Sequence, residues 1–313
     1  MADIVTTLPL PDEALALLRG AGEVRGPDAW EAWLGDAAAL LPLLTVRVDA
    51  ALLERAPRLR VVACPTAGHD HVDLAACRAR GVVVTHTPDV LTEATADLTW
   101  ALILATVRRL PQAERSLRAG EFHGWGFWDY LGGDLSGRTL GILGMGRIGR
   151  AVARRAAGFG MRVRYTSRTR LPEEEERALA AEWTDRDGLL AASDVLTLHA
   201  PLTPGTRHLL DAAALGRMRP GSVLVNTARG PLVDEAALAD ALREGRLAGA
   251  GLDVYEHEPA VHPALLELPG VVLLPHVGSA TRDTRTRMAM LAARNAHAVL
   301  TGAAPPTPVG GPE

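Results

Sequence analysis

The stretch "RTLGILGMGRIGRAVARRAAGFG", residues 138–160, decides the fold. An apolar run ends at Gly144, the glycines Gly144, Gly146 and Gly149 follow in a GxGxxG spacing, and a segment of helical character comes directly after. Gly144 permits a tight turn, Gly146 lets the backbone approach a pyrophosphate, and Gly149 lets the helix pack closely with its N-terminus facing the phosphates. A GxGxxG on its own is weak evidence, because glycine-rich turns are common and this chain has 31 glycines. With a strand before it, a helix after it and further βα units downstream, it reads as a dinucleotide-binding fingerprint. Arg147 and Ile148 lie inside it and join the three glycines as candidate cofactor contacts.

Working outward, "MRVRYTS" (161–167), "DVLTLHA" (194–200), "SVLVNTA" (222–228), "GAGLDVY" (249–255) and "VVLLPH" (271–276) continue the strand series, giving six strands with helical segments between them. One such segment, "DEAALADALREG", has Asp234 as N-cap and Gly245 at its C-terminal end. Upstream, "DIVTTL", "AALL", "LRVVAC" and "GVVVT" alternate with helices around 12–19 and after Asp49, which predicts a second parallel α/β layer. The stretch from Thr92 to Leu110, ending before Pro111, reads as a connecting helix. A last helix over about 282–300 returns to the first domain, and the tail "TGAAPPTPVGGPE" reads as an extended strap. The fold class is therefore α/β with two doubly wound parallel-sheet domains, one over residues 1–98 completed by 283–313 and a Rossmann dinucleotide-binding domain over 99–282.

Composition narrows the function. At 313 residues the chain suits two cores better than one, and 48% hydrophobic with 22% charged residues is a globular balance. A net charge of −4 lacks the concentrated positive field that phosphate-backbone binding needs, so no nucleic-acid partner is expected and the substrate is small. The longest apolar runs, such as "LTWALILATV" at 98–107, fall short of the roughly 20 residues that span a bilayer. The first residues lack the pattern of a secretory signal. No membrane partner and a cytoplasmic location are the expectations. All 33 basic residues are arginine, which excludes Schiff-base lysine chemistry and a Walker phosphate loop. Cys64 and Cys77 are too few for a disulfide scaffold or a cysteine-rich zinc site and read as buried thiols. The "HDH" at 69–71 invites a metal, but adjacent ligands on an irregular loop seldom satisfy a metal's geometry, and none is expected.

Three later strands end in polar groups: "VNTARG" presents Arg229, "LDVYEHEP" presents Glu258 and "LLPHVGSAT" presents His276. Ligands of open α/β sheets bind outside the carboxyl ends of the strands, so convergence there is what a site requires. An arginine clamps a carboxylate through two points, a histidine passes a proton, and a carboxylate beside that histidine fixes its tautomer and favours the imidazolium near neutral pH. Taken singly, each is as readily a solvated charge or a structural histidine. The spacings, 29 residues from Arg229 to Glu258 and 18 more to His276, belong to a recognisable pattern.

That pattern, together with "AGHDHVDL" (67–74), "GVVVTHTPDVLTEATADLTWALILA" (81–105), "LGMGRIG", "YTSRTR", "VNTARGPLVDEAAL", "AGAGLDVYEHEP" and "LLPHVGSAT", resembles the D-isomer-specific 2-hydroxyacid dehydrogenases over nearly the whole chain, and among them the glyoxylate and hydroxypyruvate reductases. The resemblance implies a flavodoxin-like substrate-binding first domain and a catalytic set of Arg229, Glu258 and His276. It also implies that Asp253 meets the nicotinamide carboxamide, that Thr227, Ala228, Arg229, His276 and Gly278 border the cofactor, and that Ala67 and Gly68 offer N–H groups to the substrate carboxylate beside Arg229. Read without it, Asp253 is a strand-end carboxylate in need of a partner. The implied reaction is reduction of glyoxylate or hydroxypyruvate to the D-2-hydroxy acid. Alternatives are a dehydrogenase of another small anion (phosphite, phosphoglycerate or a 2-oxo sugar acid) and a non-catalytic dinucleotide-sensing regulator. A homodimer formed through the nucleotide domain and the helix near 92–110 is implied as well. Trp125, Trp128 and Tyr130, in an aromatic-rich segment, read equally as core, dimer contact or pocket wall.

The cofactor is read from "RYTSRTR", residues 164–170. An acid that binds the adenosine ribose usually stands about 20 residues past the fingerprint. Here Ser167 stands 18 residues past Gly149, followed by Arg168, Thr169 and Arg170. A hydroxyl and guanidinium groups suit an extra phosphate where a carboxylate would repel it, so NADP is expected ahead of NAD.

Overall fold

The computed structural model describes residues 2–310. The chain forms two compact units, one of residues up to Leu91 together with those from Ser279 onward, the other Thr92–Gly278. Both junctions fall a few residues before the predicted ones, the first because the helix Thr92–Val107 belongs whole to the second unit.

The first unit is a five-stranded parallel sheet of β1 (Ala2–Thr6), β2 (Gly22–Arg25), β3 (Ala37–Leu41), β4 (Val61–Ala63) and β5 (Val83–Thr85) in the order β2-β1-β3-β4-β5. The strand missing from the predicted runs is β2, "GEVR", which lies at an edge and so has no need of an apolar sequence. Asp49 caps Ala50–Arg55 by accepting the Leu52 N–H at 3.0 Å, and Asp73 caps Leu74–Ala79 in the same way. The helix Arg282–Leu300 packs Ala292, Ala293 and Ala296 against Ile4, Leu18 and Ala39, small residues that let it lie close to the sheet. Beyond it the chain is a strap on β5: Asn295 holds Thr307, Pro308 bridges Thr85, and the Val309 N–H donates to the Val84 carbonyl at 2.8 Å. Residues 311–313 of the predicted strap lie outside the described residues. Burial pushes the Cys64 thiol up to about 12 and the Cys77 thiol to about 11, so both stay protonated and inert.

The second unit is a seven-stranded parallel sheet of β6 (Thr139–Leu143), β7 (Arg162–Thr166), β8 (Ala181–Trp183), β9 (Val195–Leu198), β10 (Ser222–Asn226), β11 (Leu247–Leu252) and β12 (Val271–Leu273), ordered β12-β11-β10-β9-β6-β7-β8. Seven strands correct the predicted six. The extra one, β8, is a three-residue edge strand paired only with β7, too short to show as an apolar run. The order reverses between β9 and β6, which opens the crevice where such sheets bind ligands.

The helix Thr92–Val107 is core on several sides: Trp100 stacks on Phe159 at 4.2 Å and donates its indole N–H to the Val152 carbonyl at 3.1 Å. It stops three residues before the predicted Leu110, where Arg109 turns left-handed (φ 52°). Pro111, expected to follow a single helix, instead sits in the first turn of a second one, Leu110–Arg118, where its missing N–H costs nothing. The aromatic segment is not core, since Trp125 is 81% and Trp128 75% exposed. Among the described residues no helix is long and apolar enough to cross a membrane.

Candidate active site

The fingerprint turn has the form its sequence requires. Gly144 stands at φ 100°, and a Cβ on Gly149 would lie 2.2 Å from the Gly144 carbonyl oxygen, so the helix Arg147–Ala156 can start this close to β6 only with glycine there. Gly146, its N-cap, faces open space and no side chain caps the helix. Bare N–H groups at a helix start over an open glycine fit a diphosphate. Arg147 is exposed and Ile148 half-buried beside this opening.

At the end of β7 the predicted loop separates into two parts. Ser167 donates to the Thr169 carbonyl at 2.5 Å, while Arg168 and Thr169 are exposed. Arg170 points elsewhere: its Nε and Nη2 each donate to one oxygen of Glu176 at 2.8 Å. The buried Tyr165 hydroxyl donates to the same carboxylate at 2.7 Å and accepts the Leu171 N–H at 2.8 Å. These hydrogen bonds from Arg170 and Tyr165 hold the Glu176 carboxyl at about 2. Arg170 is a splint for the loop, which leaves Arg168 and Thr169 to present the loop's polar groups outward.

Arg229, Glu258 and His276 follow β10, β11 and β12, three adjacent strands. Asn226 shapes the first turn, accepting the Ala228 N–H and donating to the Arg229 carbonyl at 2.9 Å. Thr227 is buried, its hydroxyl 2.9 Å from that of Thr99. Asp253, fully buried, commits both oxygens to the last turn, accepting the N–H groups of Val277 and Gly278 at 2.7 and 2.8 Å, and its carbonyl accepts the His276 N–H. Burial raises its carboxyl despite those donors. The turn holds His276 at φ 52°, a strained value for a residue with a side chain, and Thr95 donates to the Gly278 carbonyl.

Within this frame the Glu258 carboxylate lies 2.9 Å from Nδ1 of His276, and its other oxygen accepts the Tyr255 N–H at 3.1 Å. A carboxylate only accepts, so Nδ1 carries the hydrogen and Nε2 is left for chemistry. Burial raises the Glu258 carboxyl, but His276, the Tyr255 N–H and Arg229 outweigh it and leave the group below its ordinary value. A base paired with a carboxylate and an arginine next to it can hold an anion and move a proton.

In the first unit, considered by itself, the Ala67 carbonyl is taken by His86 Nδ1 at 2.9 Å and the Gly68 carbonyl by the Thr66 hydroxyl at 2.7 Å. Among the described residues no group of three or more His, Cys, Asp or Glu is arranged to hold a metal ion. Sequence patterns do not single out the supporting residues Asn226, Glu176 and Tyr165.

Comparison with known proteins shows the family. The family described as D-isomer specific 2-hydroxyacid dehydrogenase, NAD binding domain, matches residues 100–278. A glyoxylate reductase of Thermococcus onnurineus is 46% identical over 97% of this chain and 94% of its own length. An NADPH-dependent glyoxylate/hydroxypyruvate reductase of Sinorhizobium meliloti, solved with NADP and malonate, superimposes with a TM-score of 0.88 at 38% identity, covering 99% of this chain and 97% of that one. A D-lactate dehydrogenase of Aquifex aeolicus, solved with NAD and lactic acid, gives 0.87 at 29% identity, covering 99% and 100%. Fingerprint, sheet order and full-length likeness converge on one conclusion: the chain belongs to the D-isomer specific 2-hydroxyacid dehydrogenases, oxidoreductases that use a nicotinamide dinucleotide.

Proposed function

We propose that the protein reduces glyoxylate or hydroxypyruvate to the corresponding D-2-hydroxy acid, with Arg229, Glu258 and His276 as its catalytic residues. The observation that carries the assignment is the 2.9 Å contact between Glu258 and His276 Nδ1, beside Arg229. A bound reduced nicotinamide supplies the hydride to C2 of the oxo acid. Arg229 clamps the substrate carboxylate and polarises the adjacent carbonyl; Ala67 and Gly68 are the substrate-binding residues proposed in the first unit. His276 gives its Nε2 proton to the carbonyl oxygen, leaving a neutral imidazole, and Glu258 stabilises the imidazolium before that transfer. Asp253, whose expected contact is the nicotinamide carboxamide, and Gly278, expected beside the cofactor, also hold the His276 turn, and Thr227 and Ala228 line the cofactor.

The cofactor reading is NADP ahead of NAD, through Arg168 with Ser167 and Thr169; Gly144, Gly146, Arg147, Ile148 and Gly149 take the diphosphate. In this reading the first unit binds substrate, and the protein works in the cytoplasm as a homodimer. The apolar run at 98–107 gives no support to an interface, because Trp100, Leu102 and Ile103 are buried within their own unit. Support comes from exposed Leu117, Trp125, Phe127, Trp128 and Leu131, an apolar surface in the same nucleotide unit. Sedimentation at micromolar concentration should give a dimer, and a monomer there would end that reading.

The test of function is a panel of small 2-oxo acids, phosphite and phosphoglycerate, each with NADH and NADPH or the oxidised forms. Fastest turnover of glyoxylate or hydroxypyruvate is expected. Preference for another anion would move the assignment within the family, and no turnover at all would favour a dinucleotide sensor.

A further inference from the structure

The motif "YEHEP" carries two carboxylates, and the proton relay uses only the second. The first, Glu256, lies where three segments meet. Its Oε1 is 2.7 Å from Arg207 Nη2 and 2.6 Å from His208 Nε2, and its side chain is only 10% exposed. Its backbone N–H donates to Oε1 of Glu235 at 2.8 Å, and Glu235 is itself buried. The segment that supplies Arg207 and His208 is in turn fastened just beyond Arg229: the His208 N–H donates to the Pro231 carbonyl at 2.8 Å and the Leu210 N–H to the Leu232 carbonyl at 3.0 Å. Gly230, next to Arg229, presses against the same loop so closely that a Cβ there would lie 1.8 Å from the Tyr255 carbonyl carbon.

The two turns bearing Arg229 and Glu258 are thus interlocked, with Glu256 bonded at both its side chain and its backbone. Glu258 itself is one-third exposed and has a single backbone donor, the Tyr255 N–H, so little else in its own loop fixes its distance from His276. We propose that Glu256, seated on Glu235 and gripped by Arg207 and His208, is a positioning residue that holds the 255–258 loop in the register where Glu258 meets His276. The proposal rests on the reading of Glu258 and His276 as the proton relay. Glu256 touches no reacting atom. It acts by restricting where Glu258 can be, and a displacement of about 1 Å at a reacting group can cost on the order of 100-fold in rate.

The experiment compares Glu256→Ala, Glu256→Gln and Glu258→Gln in the full-length protein. It reads kcat, KM for glyoxylate, the pH profile of kcat, cofactor affinity by fluorescence titration, and amide hydrogen exchange over residues 254–262. For Glu256→Ala, kcat should fall roughly 10- to 100-fold. Cofactor affinity should stay near wild type, exchange over 254–262 should quicken, and the pH profile should move in the same direction as in Glu258→Gln. Glu256→Gln, whose amide oxygen still accepts from His208 or Arg207, should recover part of the loss. A purely structural role would lower the amount of folded protein without moving the pH profile. If Glu258→Gln moves the profile while Glu256→Ala leaves kcat and profile at wild-type values, the positioning role is overturned and the relay stands. If Glu258→Gln also leaves the profile unmoved, the relay fails and the positioning role falls with it. Should Glu256→Ala not fold, the double variant Arg207→Ala, His208→Asn removes the grip from the solvent side. It is expected to reproduce the loss, and wild-type kinetics there would overturn the proposal.

Discussion

Two polar loops at the carboxyl ends of the same sheet are built in opposite ways. The site after β10, β11 and β12 is assembled from residues far apart in the chain, with Asp253 holding the His276 turn and Glu258 reaching 18 residues forward to Nδ1. The loop after β7 is held locally, by Tyr165, Arg170 and Glu176 within a dozen residues of one another. In the first, Asp253 and Glu258 are each tied to the turn after a neighbouring strand. In the second, two arginines two residues apart have different fates, Arg170 tied to Glu176 and Arg168 exposed. The number of charges in a loop therefore overstates the number that can meet a ligand.

The largest effect should come from the long-range site. His276→Gln is expected to lower kcat by about 10² to 10⁴-fold with cofactor binding nearly unchanged, measured by steady-state kinetics and fluorescence titration. Near-normal turnover would remove His276 from the mechanism and, with it, the functional half of the contrast.

The local loop is tested by its two arginines. Arg168→Asp should lower the ratio of kcat/KM with NADPH to that with NADH by roughly 10- to 100-fold, the equivalent of one charge-assisted hydrogen bond to a phosphate lost. Arg170→Ala should weaken both cofactors alike, because it loosens the loop without removing a phosphate contact. The reverse result, a ratio set by Arg170, would mean that the Glu176 splint opens when cofactor binds.

Glu258→Gln sharpens the comparison through pH. With Glu258 below its ordinary value, the carboxylate is charged through the neutral range and stabilises a protonated His276 beside it. Reduction needs that proton. The decline of kcat with rising pH should therefore begin at lower pH in the variant, read from steady-state pH profiles, and an unchanged profile would count against the pairing.

The smallest effect belongs to Glu176. Its folded-state value of about 2 lies below the ordinary 4.5, so it adds stability that is fully present above pH 4.5 and is lost as pH falls toward 2. Urea midpoints of wild type and Glu176→Gln should differ at pH 7 and converge near pH 2. A difference that persists in acid would assign the role of Glu176 to packing instead of charge.

Both loops are visible in the sequence as polar strand ends, and much of the frame around them is legible there too. The fingerprint, the strand runs and the capping position Asp234 are local signals, and each has its expected form. The departures are also local in cause. The edge strands β2 and β8 are short and carry no apolar alternation, and Pro111 marks a helix boundary without saying whether one helix ends or another begins.

The sequence by itself determined the order of most strands and helices, the fingerprint turn, and which three residues end their strands with chemistry to offer. Those features follow from the side-chain period, glycine sterics and residue type, which need no knowledge of distant parts of the chain. Only the tertiary structure decided which arginine of "RYTSRTR" is tied, that Asp253 shapes the His276 turn, and that Glu256 is held by Arg207 and His208. A charge's partner is fixed by distances between segments remote in sequence, and hydrogen bonding falls away within about an ångström of its optimum, so no composition or spacing rule could supply it.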